Sequence, residues 1–184
     1  MSPNYEPPQV IRQRLYYQGR VFSFEVNKLR LPNQIEVELE CIRHPGGALA
    51  VPVTSDGQLV LVRQYRFAVA TRLLEFPAGT VEIEEDPAVT VKREIQEETG
   101  YRAHSWQYIG KFPLAPGYSD EYIHTFLAKD LEKLTNPPQQ DEDEDIEVVI
   151  MSPEALEKAI LEGEPIDSKS ITSFFLARSF IFDS

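Results

Sequence analysis

One stretch near the middle of the chain combines a helix start, a helix stop and a row of acidic residues, whereas the segments around it have the pattern of strands. Asp86 can accept backbone hydrogen bonds at a helix start, and Pro87 suits the first helical turn. No helix-breaking residue follows until Gly100, and glycine favours the left-handed conformation in which many helices end. These signals predict a helix over residues 87–99.

Two regions with the pattern of strands precede this helix. Residues 14–31 are rich in aromatic and β-branched side chains, and in residues 34–44 apolar and charged residues alternate, so an antiparallel sheet is predicted over residues 10–43. Apolar runs also flank Ser55-Asp56-Gly57, and an Asp-Gly pair tolerates the positive φ angles of tight turns. A second hairpin is therefore predicted at that turn.

The segments after the helix return to strand patterns and then end in two helices. Ser152 and Pro153 repeat the start signal for a helix that ends near Gly163. The spacing of apolar residues predicts a last helix over residues 168–181. The order sheet, helix, sheet, helix, helix predicts one α/β domain over residues 1–184.

The charge of the chain limits the class of partner. The formal net charge is -12, and affinity for nucleic acid comes mainly from basic side chains, so no nucleic-acid partner is expected.

Cys41 is the one cysteine of the sequence, which rules out an intrachain disulfide and fits a reducing compartment. No segment approaches the ~18 apolar residues of a membrane span, and no signal-peptide pattern is present. A cytoplasmic protein without a membrane partner is expected.

The predicted helix carries three closely spaced glutamates. Glu94 and Glu98 are four residues apart and lie on one helix face, with Glu97 on its flank. Like charges at this spacing destabilise a helix by roughly 0.2–0.5 kcal/mol per pair. A hard divalent cation such as Mg²⁺ or Mn²⁺ prefers oxygen ligands and would offset this repulsion. The alternative is a solvated acidic face whose charges are balanced by Lys92 and Arg93.

A longer pattern favours the metal site over the solvated face. From Gly79 the chain reads GTVEIEEDPAVTVKREIQEETGY, which sets Glu85, Arg93-Glu94 and Glu97-Glu98 at fixed distances. This segment resembles the Nudix box, the signature of hydrolases that act on a nucleoside diphosphate linked to another group. It departs from the box at Tyr101, where the family usually has an aliphatic residue. We expect this departure to affect packing after the helix more than chemistry.

The resemblance implies a role for each residue of the box. Glu94 and Glu98 would be ligands of Mg²⁺ or Mn²⁺, Glu97 would be a ligand or a proton acceptor, and the carbonyl of Ala78 would add a ligand. Three further residues would brace this arrangement, namely Gly79, Arg93 and Glu85. The last of these is equally well explained as an exposed loop acid.

Three other segments extend the resemblance over residues 19–171 and narrow it to the ADP-ribose pyrophosphatase branch of the family. They are VRQYR at 62–66 followed by LLEFPAG, APGYSDE at 115–121 and DEDIEVV at 143–149. In that branch a proline follows the box by about fifteen residues, and Pro116 has this spacing. A proline-glycine turn between two strands would also be common without any substrate.

This branch implies further site residues outside the helix. Arg66 would bind a phosphate through its fork of N–H groups, and Glu121 would accept hydroxyl hydrogens from the terminal ribose or contact the metal site. A glutamate of the acidic loop 141–145 would act as the base or as a further metal ligand. Glu144 fits best by its distance to the following strand, with Glu142 as the competitor. A solvated charge run is the alternative for this loop.

The fold and the reaction are also implied by the resemblance. The fold would be an α/β/α sandwich with a mixed central sheet, in addition to the N-terminal antiparallel sheet. The reaction would be hydrolysis of ADP-ribose to AMP and ribose 5-phosphate. The N-terminal sheet would be exchanged between the subunits of a homodimer, with Tyr16, Tyr17 or Phe22 stacked on the adenine. The alternatives are another nucleotide sugar, a dinucleoside polyphosphate, or nucleotide sensing without catalysis.

Overall fold

A computed structural model describes residues 6–138 and 145–182 of the chain. The strands are β1 Gln9–Gln18, β2 Ser23–Arg30, β3 Glu36–Arg43, β4 Gly47–Pro52, β5 Leu59–Arg66, β6 Thr71–Glu75, β7 Ala78–Thr80, β8 Tyr101–Pro113, β9 Tyr122–Lys133 and β10 Ile146–Met151. The helices are α1 Pro87–Thr99, α2 Pro153–Glu162 and α3 Ser168–Phe182, with a short 3-10 turn at Phe67–Val69. These residues form two compact units, one of residues 6–45 and 113–121 and the other of residues 46–112, 122–138 and 145–182.

The first unit contains the antiparallel sheet β1-β2-β3, so the N-terminal sheet predicted over residues 10–43 is confirmed. The central strand β2 buries polar side chains on one face, at Ser23, Glu25 and Asn27. β1 is exposed along its whole length and presents large side chains such as Tyr17 to solvent. The sheet therefore carries apolar surface that the described residues leave uncovered.

The second unit contains two sheets. β10, β5 and β6 form an antiparallel sheet in that order, and β7, β4, β9 and β8 form a four-stranded sheet. In the four-stranded sheet, β4 is parallel to β9 and antiparallel to β7. Parallel neighbours require a long crossover connection, and the chain between β4 and β9 includes α1. The mixed central sheet is therefore present, as predicted.

α1 packs its apolar residues on one face of the mixed sheet. Val91 and Ile95 are buried in a cluster with Ala48 and Ala50 of β4 and Phe126 of β9. The two alanines are two positions apart, so they point to the same face of the strand, and their small size lets the helix approach closely. Burial of one Val or Ile side chain contributes roughly 1.5–3 kcal/mol. This packing fixes the rotation of α1 about its own axis.

α3 packs on the opposite face of the same sheet. Leu49 lies between the two alanines of β4, points to the other face, and is paired in register with Thr125 of β9. The Thr125 hydroxyl is hydrogen-bonded to the hydroxyl of Ser173 on α3 at 3.1 Å. Phe174 and Ala177 of α3 are fully buried. One helix on each face of the sheet gives the predicted α/β/α layering.

The hairpin predicted at Asp56-Gly57 is wrong beyond the turn itself. The amide of Thr54 donates to the carbonyl of Gln58 at 2.8 Å, and one bridge joins Val53 to Leu59. Beyond this bridge β4 and β5 diverge into different sheets. β4 and the first half of β5 are buried on both faces, and each strand is an interior strand of its own sheet. The pair therefore lacks the polar face of a surface hairpin.

The three predicted helices are confirmed, and local signals explain where they begin and end. The Asp86 carboxylate accepts the amide of Ala88 at 2.9 Å, and Gly100 ends α1 with a φ of 69°. Ser152 and Gly163 bound α2 in the same way. None of the helices in the described parts of the chain has the length and apolar character needed to cross a membrane.

The cap at Asp86 can be tested separately from the packing of α1. Asp86→Ala removes the hydrogen-bond acceptor at the helix start and should lower the free energy of unfolding by about 1 kcal/mol. Asp86→Asn is the matched control, because asparagine caps helices as well as aspartate does. Urea unfolding of both variants measures the difference. Equal unfolding midpoints for Asp86→Ala and the parent would show that the cap adds no stability.

Candidate functional site

The carboxylates of Glu94 and Glu98 both reach the short strand β7. Glu98 is only 3% exposed, and its Oε2 accepts the amide hydrogen of Ala78 at 3.1 Å. A methyl group on Gly79 would overlap the Cγ, Cδ and Oε1 atoms of Glu94, so the absence of a side chain at this position lets the carboxylate lie against the backbone. The fold therefore brings two glutamates one turn apart on α1 to two successive residues of β7.

Arg93 contacts one glutamate of this pair, Glu94, and the neighbouring Glu97. Its Nη2 lies 2.9 Å from Oε1 of Glu94, and its Nη1 donates to Oε2 of Glu97 at 2.8 Å. Burial acts to lower the pKa of Arg93, but the charges of Glu94 and Glu97 outweigh it and raise the pKa above its ordinary value. This geometry supports the bracing role inferred for Arg93, because one rigid guanidinium holds two flexible carboxylates in place.

Glu85 is tied to the first turns of α1. Its Oε2 accepts the hydroxyl hydrogen of the fully buried Thr90 at 2.6 Å and lies 3.5 Å from the amide nitrogen of Glu82. The charge of Glu85 also adds to the raised pKa of Arg93. These contacts support a bracing role for Glu85 and weaken its interpretation as a simple exposed loop acid.

The side chains on α1 fit a hard divalent cation that keeps part of its water shell. Within residues 6–138 and 145–182, no three His, Cys, Asp or Glu side chains form a cluster that would hold a metal alone. Glu94 and Glu98 supply two carboxylates that lie against β7. Mg²⁺ is usually bound by one or two carboxylates together with water and substrate phosphates, and a complete protein cage is not required.

Arg66, at the end of β5, is paired with a buried acid of the neighbouring strand. Its Nε donates to Oε1 of Glu75 at 2.6 Å and its Nη2 to Oε2 at 2.7 Å. These hydrogen bonds raise the pKa of Arg66, and the negative charge of Glu98 adds to the rise. Nη1 of Arg66 has no hydrogen-bond partner in the described residues, and the side chain is 41% exposed. The end edge of the guanidinium, Nη1 and Nη2, is therefore the edge that can meet a phosphate.

Glu75 was missed by the sequence analysis, together with its second partner, Lys169. Glu75 is 1% exposed, and Lys169 Nζ donates to its Oε2 at 2.5 Å. Burial favours the neutral form of Glu75, but the hydrogen bonds from Arg66 and the charge of Lys169 outweigh it and hold the pKa of this carboxyl below its ordinary value. The local signal was an acid inside the apolar run LLEFP, which indicates a buried and paired carboxylate.

Glu121 belongs to the first unit, in the segment 113–121. Its Oε1 lies 3.6 Å from Nδ1 of His44, and the neighbouring Asp120 accepts the backbone amide of His44 at 2.9 Å. Arg43 donates to the same aspartate at 3.1 Å. These contacts hold the segment on the end of β3, while the role of Glu121 towards substrate stays a prediction.

The acidic loop is only partly described. Glu142 and Glu144 lie outside the described residues. Asp145, at the end of the loop, pairs with Arg72 of β6. The next residue, Ile146, is paired in register with Gln64, two positions before Arg66. The loop thus leads into β10 beside the strand that carries Arg66.

Comparisons with known proteins show which proteins the chain resembles. A model of the NUDIX domain matches residues 43–174. The chain is 35% identical over 163 residues to the methanol dehydrogenase activator of Bacillus methanolicus, covering 89% of this chain and 88% of that protein. It is 35% identical over 162 residues to the ADP-ribose pyrophosphatase of Bacillus subtilis (strain 168), covering 88% of each. A crystal structure of an ADP compounds hydrolase has a TM-score of 0.83 at 22% identity, covering 99% of this chain and 98% of that one, and so shares its fold.

The contact between Gly79 and Glu94 gives a test of the metal site. Gly79→Ala should displace the Glu94 carboxylate and weaken Mn²⁺ binding by about 10- to 100-fold, the usual effect of disturbing the groups around a metal ligand. The melting temperature should change little, because the end of a glutamate side chain can rotate away. Gly117→Ala is the matched control, since a methyl group there meets nothing within 4 Å. Calorimetric titration of Mn²⁺ into both variants measures the affinities, and equal values would remove Glu94 from the metal site.

Proposed function

This chain belongs to the NUDIX domain family, and from this membership we propose that it is a divalent-metal-dependent hydrolase that cleaves ADP-ribose into AMP and ribose 5-phosphate. The observation that carries the proposal is the placement of Glu94 and Glu98 of α1 against Ala78 and Gly79. The identity of 35% with an ADP-ribose pyrophosphatase over most of both chains supports the choice of substrate.

The metal centre would be formed by Glu94 and Glu98, with Mg²⁺ as the cation and Mn²⁺ as a substitute. The carbonyl of Ala78 would complete the protein ligands, and Arg93 would keep Glu94 in place. When bound, such a cation neutralises the diphosphate and activates water. The two glutamates are fixed by the packing of α1 on the sheet, so the site is organised before any ligand arrives.

The substrate would be oriented by groups outside the helix. Arg66 would bind a phosphate through its end edge, because Glu75 occupies the other edge. Glu121 would accept hydroxyl hydrogens from the terminal ribose. The proton of the attacking water would pass to Glu144 or Glu142 of the acidic loop.

A homodimer in the cytoplasm would complete this account. The exposed strand β1 and its neighbours carry uncovered aromatic side chains, including Tyr16, Tyr17 and Phe22. Exposed apolar surface on this scale is typical of an interaction site, and a second copy of the sheet would cover it. Stacking of one of these rings on the adenine would join the dimer to substrate binding.

One observation favours a second candidate function. The chain is as similar to a methanol dehydrogenase activator as to the ADP-ribose pyrophosphatase, at 35% identity in each case. The second candidate is therefore a protein that binds a nucleotide and acts on a dehydrogenase without hydrolysis. The complete set of box carboxylates, Glu94, Glu97 and Glu98, favours catalysis over this alternative. Release of AMP from ADP-ribose separates the two.

Substitution of Glu98 tests the metal assignment. Glu98→Gln preserves the size of the side chain and an oxygen that can accept the Ala78 amide, but it removes the negative charge. Turnover of ADP-ribose should therefore fall by ~10²-fold or more while the fold stays intact. Glu154→Gln, an exposed substitution on α2, is the control and should match the parent. Normal turnover in a folded Glu98→Gln variant at saturating Mg²⁺ would reject the assignment.

The acidic loop can be tested one carboxylate at a time. If Glu144 accepts the proton, Glu144→Gln should lower turnover by roughly 10²–10⁴-fold with little change in substrate binding. Glu142→Gln should do so instead if that residue is the base. Asp141→Asn and Asp145→Asn are the controls and should stay near normal. The measurement is steady-state kinetics of the four variants at one Mg²⁺ concentration and pH.

Thermal melts of these loop variants establish that each one is folded. If all four keep turnover within about threefold of the parent, the loop is a solvated charge run, because loss of acid-base catalysis costs far more than that. The base is then to be sought first at Glu97.

A further inference from the structure

Arg66 belongs to a cluster of four charged residues, and the other three have little contact with water. We call it the Glu75 cluster, and it consists of Arg66, Glu75, Asp167 and Lys169. Glu75 is 1% exposed, and the side chains of Asp167 and Lys169 are each 14% exposed. Lys169 contacts both acids, and Glu75 contacts both bases. The formal charges of the four groups sum to zero.

The first turn of α3 holds Lys169 in this cluster. Asp167 accepts the backbone amide of Ser170 at 3.0 Å, as a helix-capping residue does. The hydroxyl of Ser170 in turn accepts the amide hydrogen of Phe76 at 2.7 Å. Asp167 is thus bonded to the first turn of the helix, and Ser170 is bonded to Phe76, the residue after Glu75. The backbone position from which Lys169 reaches Glu75 is therefore fixed.

The charges of the cluster depend on one another. Burial acts to lower the pKa of Lys169, but the charges of Asp167 and Glu75 outweigh it and raise the pKa. A buried ion is tolerated only when it is paired, so removal of one base leaves the other to balance two acids. Without Lys169, Arg66 would be the one base of the cluster left to balance the negative charges of Glu75 and Asp167.

We propose that Lys169 is a positioning residue, which acts through Glu75 to keep the end edge of Arg66 oriented towards the substrate phosphate and available to attract it. This inference rests on the proposed function, because it concerns the phosphate-binding role of Arg66. Lys169 donates to Oε2 of Glu75 and balances part of its negative charge. Glu75 can therefore hold Nε and Nη2 of Arg66 without neutralising the whole positive charge of the guanidinium. Loss of Lys169 weakens the attraction of Arg66 for an anionic substrate.

An electrostatic role and a purely structural one predict different kinetics. If Lys169 serves only to attach α3, its loss lowers stability and leaves the Michaelis constant of the folded enzyme unchanged. If it positions Arg66, its loss raises the Michaelis constant for ADP-ribose more than it lowers turnover, because Arg66 binds substrate and transition state alike.

The first experiment compares substitutions of lysines on two helices. Lys169→Met should raise the Michaelis constant for ADP-ribose by about tenfold, with turnover within about threefold of the parent. Lys169→Arg keeps the charge and should retain most of the parent's Michaelis constant. Lys158→Met on α2 replaces an exposed lysine that pairs with Glu162 and is the control. An unchanged Michaelis constant in folded Lys169→Met would overturn the proposal.

The second experiment restores the charge balance by another route and keeps the test decisive if Lys169→Met does not fold. Asp167→Asn preserves the helix cap and leaves Lys169 to Glu75 alone, so its Michaelis constant should be no higher than that of the parent. The double variant Asp167→Asn/Lys169→Met has one acid and one base, so its Michaelis constant should also stay close to that of the parent. A raised Michaelis constant in Asp167→Asn would contradict the charge account.

The parent enzyme separates failure of this inference from failure of the proposed function. Hydrolysis of ADP-ribose by the parent, combined with a normal Michaelis constant in Lys169→Met, overturns the positioning role and leaves the proposed function intact. No hydrolysis by the parent with either Mg²⁺ or Mn²⁺ overturns both.

Discussion

The close approach of α1 to β7 is the contact on which the site depends. Val91 and Ile95 bury one side of the helix on the mixed sheet, and this fixes where its glutamates point. Gly79 has no side chain and so leaves room for Glu94, while the neighbouring amide binds Glu98. The apolar packing and the carboxylate positions are consequences of the same helix rotation, so the fold itself arranges the acidic groups before a cation is present.

Two arginines control the negative charge that this arrangement concentrates. Arg93 lies on the flank of the helix and holds Glu94 and Glu97. The negative charge of Glu98 acts on Arg66, but the orientation of Arg66 is set by its hydrogen bonds to buried Glu75. A chain with a net charge of -12 can bind an anionic substrate in this way, because cations and correctly placed guanidinium groups reverse the field locally.

Structure could be predicted from the sequence where it is determined locally. The bounds of α1 follow from Asp86, Pro87 and Gly100, and the family pattern depends on spacings within one segment. The separation of β4 and β5 after their shared turn was not predictable, because β4 and the first four residues of β5 are apolar and nothing local says which sheet each strand joins. The contact between Lys169 and Glu75 was not predictable either, since it joins positions 94 residues apart and depends on how α3 packs.

The most direct test of the account is product identification after the protein is incubated with ADP-ribose in the presence of Mg²⁺ or of a chelator. The account predicts that AMP and ribose 5-phosphate appear in equal amounts with Mg²⁺ and that neither appears with the chelator. Intact ADP-ribose under both conditions, or equal release of products in both, would contradict a metal-dependent diphosphate hydrolase built on Glu94 and Glu98.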